Sequence, residues 1–169
     1  MNHRHSRSAI QVGTREAGFT LIEVLVAALV LGLGLLGLAG LQVMSLRNNQ
    51  SAHFRSVATQ AAYDMVDRMR ANRIGLADGN YHNVVASADD CVASACTPLQ
   101  MAGYDFAQWS NHLAADLPLG TGTVCRDGTP ETADCDGQGS AYAVRISWDD
   151  DRSGAVDAND PAFVTSFQP

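Results

Sequence analysis

The sequence predicts an α+β fold, in which one long N-terminal helix carries a small antiparallel sheet and a second, short helix. Three observations carry this prediction. Val24 to Leu41 is an unbroken apolar run. An apolar stripe at helical spacing follows it, from Phe54 to Met69. Two late segments, 141–148 and 162–167, alternate apolar and polar residues as half-buried strands do.

The run comes first. Every residue from Val24 to Leu41 is Val, Leu, Ala or Gly, and eighteen apolar residues without a charge suffice to cross a bilayer. Gln42, Arg47, Asn48 and Asn49 mark its exit to water. Arg4, Arg7 and Arg15 precede it, against the single acid Glu16. The positive-inside tendency therefore leaves the N-terminus cytoplasmic and the rest of the chain outside. A cleaved secretory signal peptide and a plain signal anchor are the competing readings. "GLAGLQVMS" can be stretched to a small-residue cleavage pattern, but the apolar region is overlong for a signal peptide. One residue at the mouth of the run is out of character: the carboxylate of Glu23. An ionisable group in lipid is unfavourable unless paired, and so points to function.

Beyond the run, Phe54, Val57, Ala58, Ala61, Met65 and Met69 recur at spacings of three and four, one face of an amphipathic helix. No proline interrupts this stretch, and Gly75 is expected to stop it. Phe19 to Arg73 is thus predicted as one helix, about 80 Å long at 1.5 Å per residue. Gly32, Gly34, Gly37 and Gly40 lie inside its first part. Each costs about 1 kcal/mol relative to alanine, while small residues also let membrane helices pack closely. Arg68, Arg70 and Arg73 suit the negative end of the helix dipole, or form a docking patch for an acidic neighbour.

Asp78 to Ala95 is rich in Asn, Asp, Ser and Gly and reads as loop. "CTPLQMAGYDFAQWSNHLAADLP" reads as the second helix. Thr97 is a good N-cap, Pro98 suits the first helical position, and Pro118 ends the segment. Phe106, Trp109 and Leu113 form its core-facing stripe. Strands are predicted at "GTVCR", "AYAVRISW" and "AFVTSF".

Four cysteines, Cys91, Cys96, Cys125 and Cys135, all follow the apolar run and lack C-x-x-C spacing. The simplest arrangement is two local disulfides, Cys91–Cys96 and Cys125–Cys135, in an oxidising compartment such as a bacterial periplasm. Metal binding and free thiols are the alternatives. From Asp78 onward there are 14 acids against 3 arginines, a net charge of −11. That argues against direct nucleic-acid binding, which needs cations for phosphate. All eleven basic side chains are arginine, from which no function follows. His3, His5, His53, His82 and His112 fall in no nucleophile or metalloprotease motif, so no enzyme is expected.

"DDDRSGAVDAND", from Asp149 to Asp160, has the spacing of an EF-hand loop. Asp149, Asp151 and Ser153 take positions one, three and five, and Gly154 gives the turn. Ala155 offers a carbonyl, and Asp157 and Asp160 take positions nine and twelve. Position twelve is the shorter Asp rather than a bidentate Glu, and the flanks look like strands. The loop is a calcium candidate, against the plainer reading of a solvated hairpin. No other cofactor is expected.

The junction "G-F-T-L-I-E", Gly18 to Glu23, resembles the prepilin processing site of type IV pilins and type II secretion pseudopilins. The resemblance implies cleavage between Gly18 and Phe19 by a prepilin peptidase/methyltransferase, followed by N-methylation of Phe19. It implies that Glu23 meets the freed amine of a neighbouring subunit and sets axial register. It also implies a pilin-like fold in four parts: leader 1–18, filament-core half 19–46, amphipathic half 47–75 and periplasmic head 76–169. In the family, the glycine-containing region can unwind within the filament. Major pilins often carry a proline there, and this chain has only glycines. "AAYDMVDRMRANRIG" and the order of the head segments resemble one subgroup of minor pilins, type IV pilus modification protein PilV.

A structural minor pilin is therefore expected. It would sit single-pass in the bacterial inner membrane with a periplasmic C-terminus, then in a pilus at the cell surface, serving assembly and pilus-dependent motility or adhesion. Its expected partners are other major and minor pilins, the inner-membrane assembly platform and a tip adhesin. The alternatives are a type II secretion pseudopilin and a membrane-anchored periplasmic binding protein.

Overall fold

The computed structural model describes residues 18–129 and 135–169. The basic leader, apart from Gly18, lies outside them. Helix α1 spans Leu21–Ala71, α2 Arg73–Ala77 and α3 Pro98–Asp116. Strands β1 (Thr121–Arg126), β2 (Tyr142–Ser147) and β3 (Ala162–Phe167) follow. The chain divides into two compact units, Met1–Ser45 and Leu46–Pro169.

In the first unit the described residues after Thr20 belong to α1, whose large apolar side chains stand exposed from Leu21 to Val43. The long helix is thus present, two residues shorter at each end than predicted.

The second unit has the core. The α1 face made of Phe54, Ala58, Ala62, Met65, Val66 and Met69 is buried. Val57 and Ala61 pack beside it. Ala58 and Ala62 are fully covered, which their small side chains permit by letting neighbours approach the helix backbone. Tyr142, Val144 and Ile146, spaced by two on β2, share that core with Trp109 and Leu113 of α3. Trp109 connects the layers: its indole N–H donates to the Ala61 carbonyl at 2.8 Å. Its ring lies where a side chain on Gly122 of β1 would stand. Glycine at 122 is therefore a packing requirement of the tryptophan.

The start of α3 is as predicted. The Thr97 hydroxyl accepts from Gln100 N–H, and the Gln100 side chain accepts from Thr97 N–H, a complete capping box, with Pro98 in the first turn. Leu117 is the C-cap, so α3 ends just before Pro118.

One expectation fails. Gly75 does not end the long helix but lies inside α2, and the break falls at Asn72. The Asn72 side chain donates to the Pro98 carbonyl (2.8 Å) and the Tyr81 hydroxyl (3.2 Å) and accepts from Gly75 N–H (3.1 Å). A polar side chain bonded to three separate groups ends the helix there and caps the next. Gly75 is needed because a Cβ would collide with that amide.

The strands form one antiparallel sheet in chain order, β1-β2-β3, with Val124 opposite Val144 and Val144 opposite Thr165. Central β2 is covered on both faces at Tyr142, Ala143 and Val144. The loop after α2 meets the outer edge of β1: Asn83 N–H donates to the Val124 carbonyl, and His82 Nδ1 accepts from Arg126 N–H. Both predicted disulfides are present, Cys91–Cys96 and Cys125–Cys135. Residues 78–95 are turns and loop, as expected.

Candidate functional site

Two places gather the residues that the sequence singles out. The first is the start of α1. Gly18, Phe19 and Thr20 are exposed and in no regular element. Phe19 is 81% exposed. The helix begins two residues before Glu23. Glu23 N–H lies 3.1 Å from the Thr20 carbonyl and 3.3 Å from its hydroxyl, and Val24 N–H donates to the same carbonyl at 3.3 Å. Thr20 thus acts as an N-cap, and Glu23 stands three residues on, in the acid position of a capping box. Its carboxylate sits in the first turn, near the positive end of the helix dipole. The sequence expectation treats Glu23 as an acid in lipid that meets a neighbour's freed amine; "T-x-x-E", Thr20 to Glu23, is the signal for this further, capping role.

The second place is the loop between β2 and β3. Asp149, Asp151 and Asp160 each bring a carboxylate oxygen within 4.8 Å of the others. Asp149 is only 3% exposed. Its two oxygens accept from Ser153 N–H (2.9 Å) and Gly154 N–H (2.8 Å), while Asp151 also accepts from Ser153 N–H (2.9 Å). Desolvation pushes the Asp149 carboxyl up, but these hydrogen bonds outweigh it and hold the group below the ordinary carboxylate range. Gly154 has φ +93°, the left-handed turn expected of it. Asp160 accepts from Asp150 N–H and Asp157 N–H, which closes the loop. Asp157 is not in the carboxylate group; it accepts from Asn159 N–H. Ser153 donates its hydroxyl to the Ala155 carbonyl at 3.1 Å. Of the six predicted ligands, the structure therefore gathers three carboxylates and leaves the others to loop hydrogen bonds.

A third group has no counterpart among the sequence expectations. Tyr81 is fully buried and donates to Asp105 Oδ2 at 2.6 Å. Arg68 Nη1 stands 3.8 Å from Asp105 Oδ1, while Arg68 Nε pairs with Asp64 at 2.8 Å. Burial pushes the Asp105 carboxyl up, against the opposing pull of the Tyr81 hydrogen bond and the Arg68 charge. Burial and the Asp105 hydrogen bond push the Tyr81 hydroxyl up as well. No sequence signal joins a tyrosine and an aspartate 24 residues apart.

Comparison with known families bears on the first place. Residues 13–39 match the prokaryotic N-terminal methylation motif. Residues 40–107 match the family described as type IV pilin Tt1218. The two matches adjoin at Ala39 and Gly40, inside α1. These matches make part of the chain similar to type IV pilins. Its long apolar helix, three-stranded antiparallel sheet and additional helices are consistent with the pilin fold. Pilins are structural proteins, and the methylation motif implies processing by a prepilin peptidase and assembly with other pilins. The motif and the apolar helix suggest membrane anchoring. No curated protein and no solved structure matches the chain.

Proposed function

We propose that this chain is a minor pilin, similar to the PilV modification proteins, that helps initiate type IV pilus assembly and so serves motility or adhesion. The observation that carries the reading is the bare apolar surface of α1. From Leu21 to Leu46 its large side chains are at least half exposed, and a row of that size needs lipid or another protein. The methylation motif lies on the same stretch.

In this reading the peptidase cuts between Gly18 and Phe19, the leader 1–18 is lost, and Phe19 is methylated. The cut frees an α-amine four residues before Glu23. Glu23 pairs with the equivalent amine of a neighbouring subunit, in place of the hydration it loses. The helix half 19–46 enters the filament core, 47–75 carries the periplasmic head 76–169, and the platform proteins and other pilins are the partners. The Asp149–Asp160 loop is a candidate calcium site in the same reading. Calcium at millimolar concentration should raise the melting temperature, and an unchanged melt removes that role.

The deciding experiment is deletion with complementation. Wild type should restore surface pili. Gly18 variants should block processing. Glu23→Ala should leave Phe19 methylated but fail to enter filaments. Normal piliation in the deletion strain would sink the proposal. A deletion that spares pili but stops protein secretion would favour a type II secretion pseudopilin.

A further inference from the structure

A cavity of about 300 Å³ opens between the end of α1 and the start of α3. Arg68 and Ala71 line it from α1. Pro98, Met101 and Asp105 line it from α3, where spacings of three and four put them on one face. Ala71, Pro98 and Met101 give the cavity an apolar wall. Arg68 and Asp105 give it one charge of each sign.

Neither charged group has all its hydrogen bonds made. Asp105 is only 7% exposed, and its Oδ2 accepts from the Tyr81 hydroxyl at 2.6 Å. Its Oδ1 accepts from none of the described residues. Arg68 Nη1 stands 3.8 Å from it, too far for a hydrogen bond. Among the described residues no fully buried side-chain oxygen lacks a partner, so Oδ1 keeps an opening, and Asp105 lines the cavity that supplies one. Arg68 donates from Nε to Asp64 at 2.8 Å, and its two terminal nitrogens donate to none of the described residues. Asn72, also at the cavity, has both ends of its amide bonded already. A guanidinium with unused N–H groups and a carboxylate with an unused oxygen thus stand side by side.

We propose that this cavity binds a primary carboxamide, the group that ends an asparagine or glutamine side chain. The carboxamide oxygen accepts from the Arg68 guanidinium, its nitrogen donates to Asp105 Oδ1, and its methylene stem lies against Pro98 and Met101. Each of the two bonds has a charged partner, which makes both of the stronger kind. The paired charges select the ligand. A carboxylate satisfies Arg68 but stands against Asp105. An ammonium satisfies Asp105 but stands against Arg68. A carboxamide carries an acceptor and a donor on one carbon and suits both. The site lies wholly within the second unit and depends on no particular assembly of the chain.

The test titrates propionamide, propionate and propylammonium into the full-length chain in detergent, followed by the NMR signal of a carbon-labelled Met101 methyl group. Propionamide should bind about tenfold more tightly than either ion. Arg68→Met should weaken propionamide by about the same factor. Asp105→Asn keeps an acceptor for the Tyr81 hydroxyl and puts an N–H donor where Oδ1 stood, so it should reverse the order and favour propionate. A Met101 signal that no probe moves, equal binding of the three probes, or an amide preference that survives Asp105→Asn overturns the proposal. N-acetylglutamine methylamide separates the two sources of such a group. Tighter binding than propionamide assigns the cavity to a side chain of another polypeptide, and weaker binding assigns it to a small free amide.

Discussion

The two stretches of α1 belong to one uninterrupted helix, yet they meet opposite surroundings. From Phe54 to Met69 the helix has an apolar face, and that face is buried in the core of its own chain. From Val24 to Leu41 it is apolar all round, and its large side chains stand exposed. A helix hydrophobic on every side needs a partner on every side. The comparison teaches that the buried face and the bare apolar surface, which the proposed assembly would use, are written on separate parts of the same element.

The largest effect should come from the core. Trp109→Ala removes a ring that is 1% exposed and frees the Ala61 carbonyl it covers. A loss of about 3–5 kcal/mol is expected in urea unfolding of the full chain in detergent, followed by Trp148 fluorescence. A loss under about 1 kcal/mol would show that the core is not organised around this residue.

Next come the staples. Replacing Cys125 and Cys135 with alanine opens a loop closed at a sequence separation of 10. The chain-entropy argument gives about 2.5–3 kcal/mol, and slightly less for Cys91–Cys96, whose separation is 5. Comparing the two variants by the same unfolding measurement tests that order.

A smaller effect depends on pH. Asp105 has its pKa raised by burial, so the folded state binds its proton more readily than the unfolded state does. Its contribution to stability grows as pH falls through that raised value and is lost as pH rises through it. Asp149, held low by its loop hydrogen bonds, acts the other way: its contribution is present above the ordinary carboxylate range and lost as pH falls through its depressed value. Asp105→Asn keeps an acceptor for Tyr81 and should stabilise the head near pH 7, with the gain fading in mild acid. Melting curves at pH 7 and pH 4.5 check the sign, and destabilisation at both would overturn it.

The smallest effect is the one that completes the comparison. Leu35→Ala should change the unfolding free energy of the head by less than about 0.5 kcal/mol, because Leu35 is exposed and is not one of the core residues. A larger change would mean that the bare stretch supports the head after all.

Much of this was legible in the sequence because it is local. The apolar run, the stripe from Phe54 to Met69, the Thr97–Pro98 helix start and the three strands each rest on spacings of a few residues. The nearest-neighbour cysteine pairing was local too. What escaped depends on residues far apart in the chain. Asn72 breaks the helix because Pro98 and Tyr81 arrive beside it, and Gly75 then serves the cap instead of the stop. His82 and Asn83 lie in the loop that was expected, but their contact with the edge of β1, through the His82 ring and the Asn83 N–H, was not foreseen. Tyr81 and Asp105 pair across 24 residues. In the acidic loop the spacing located the carboxylates, but not the backbone N–H groups that four of them accept from.

The strand order has a consequence for a growing chain. Because β1, β2 and β3 are neighbours in sequence as well as in the sheet, each strand can pair with its predecessor as soon as it is made. The α1 face from Phe54 to Met69 has no such convenience. It is synthesised before α3 and every strand that will cover it, and it remains an open apolar stripe while about half the polypeptide is still to come. During biogenesis, that stripe is where a chaperone has most to protect.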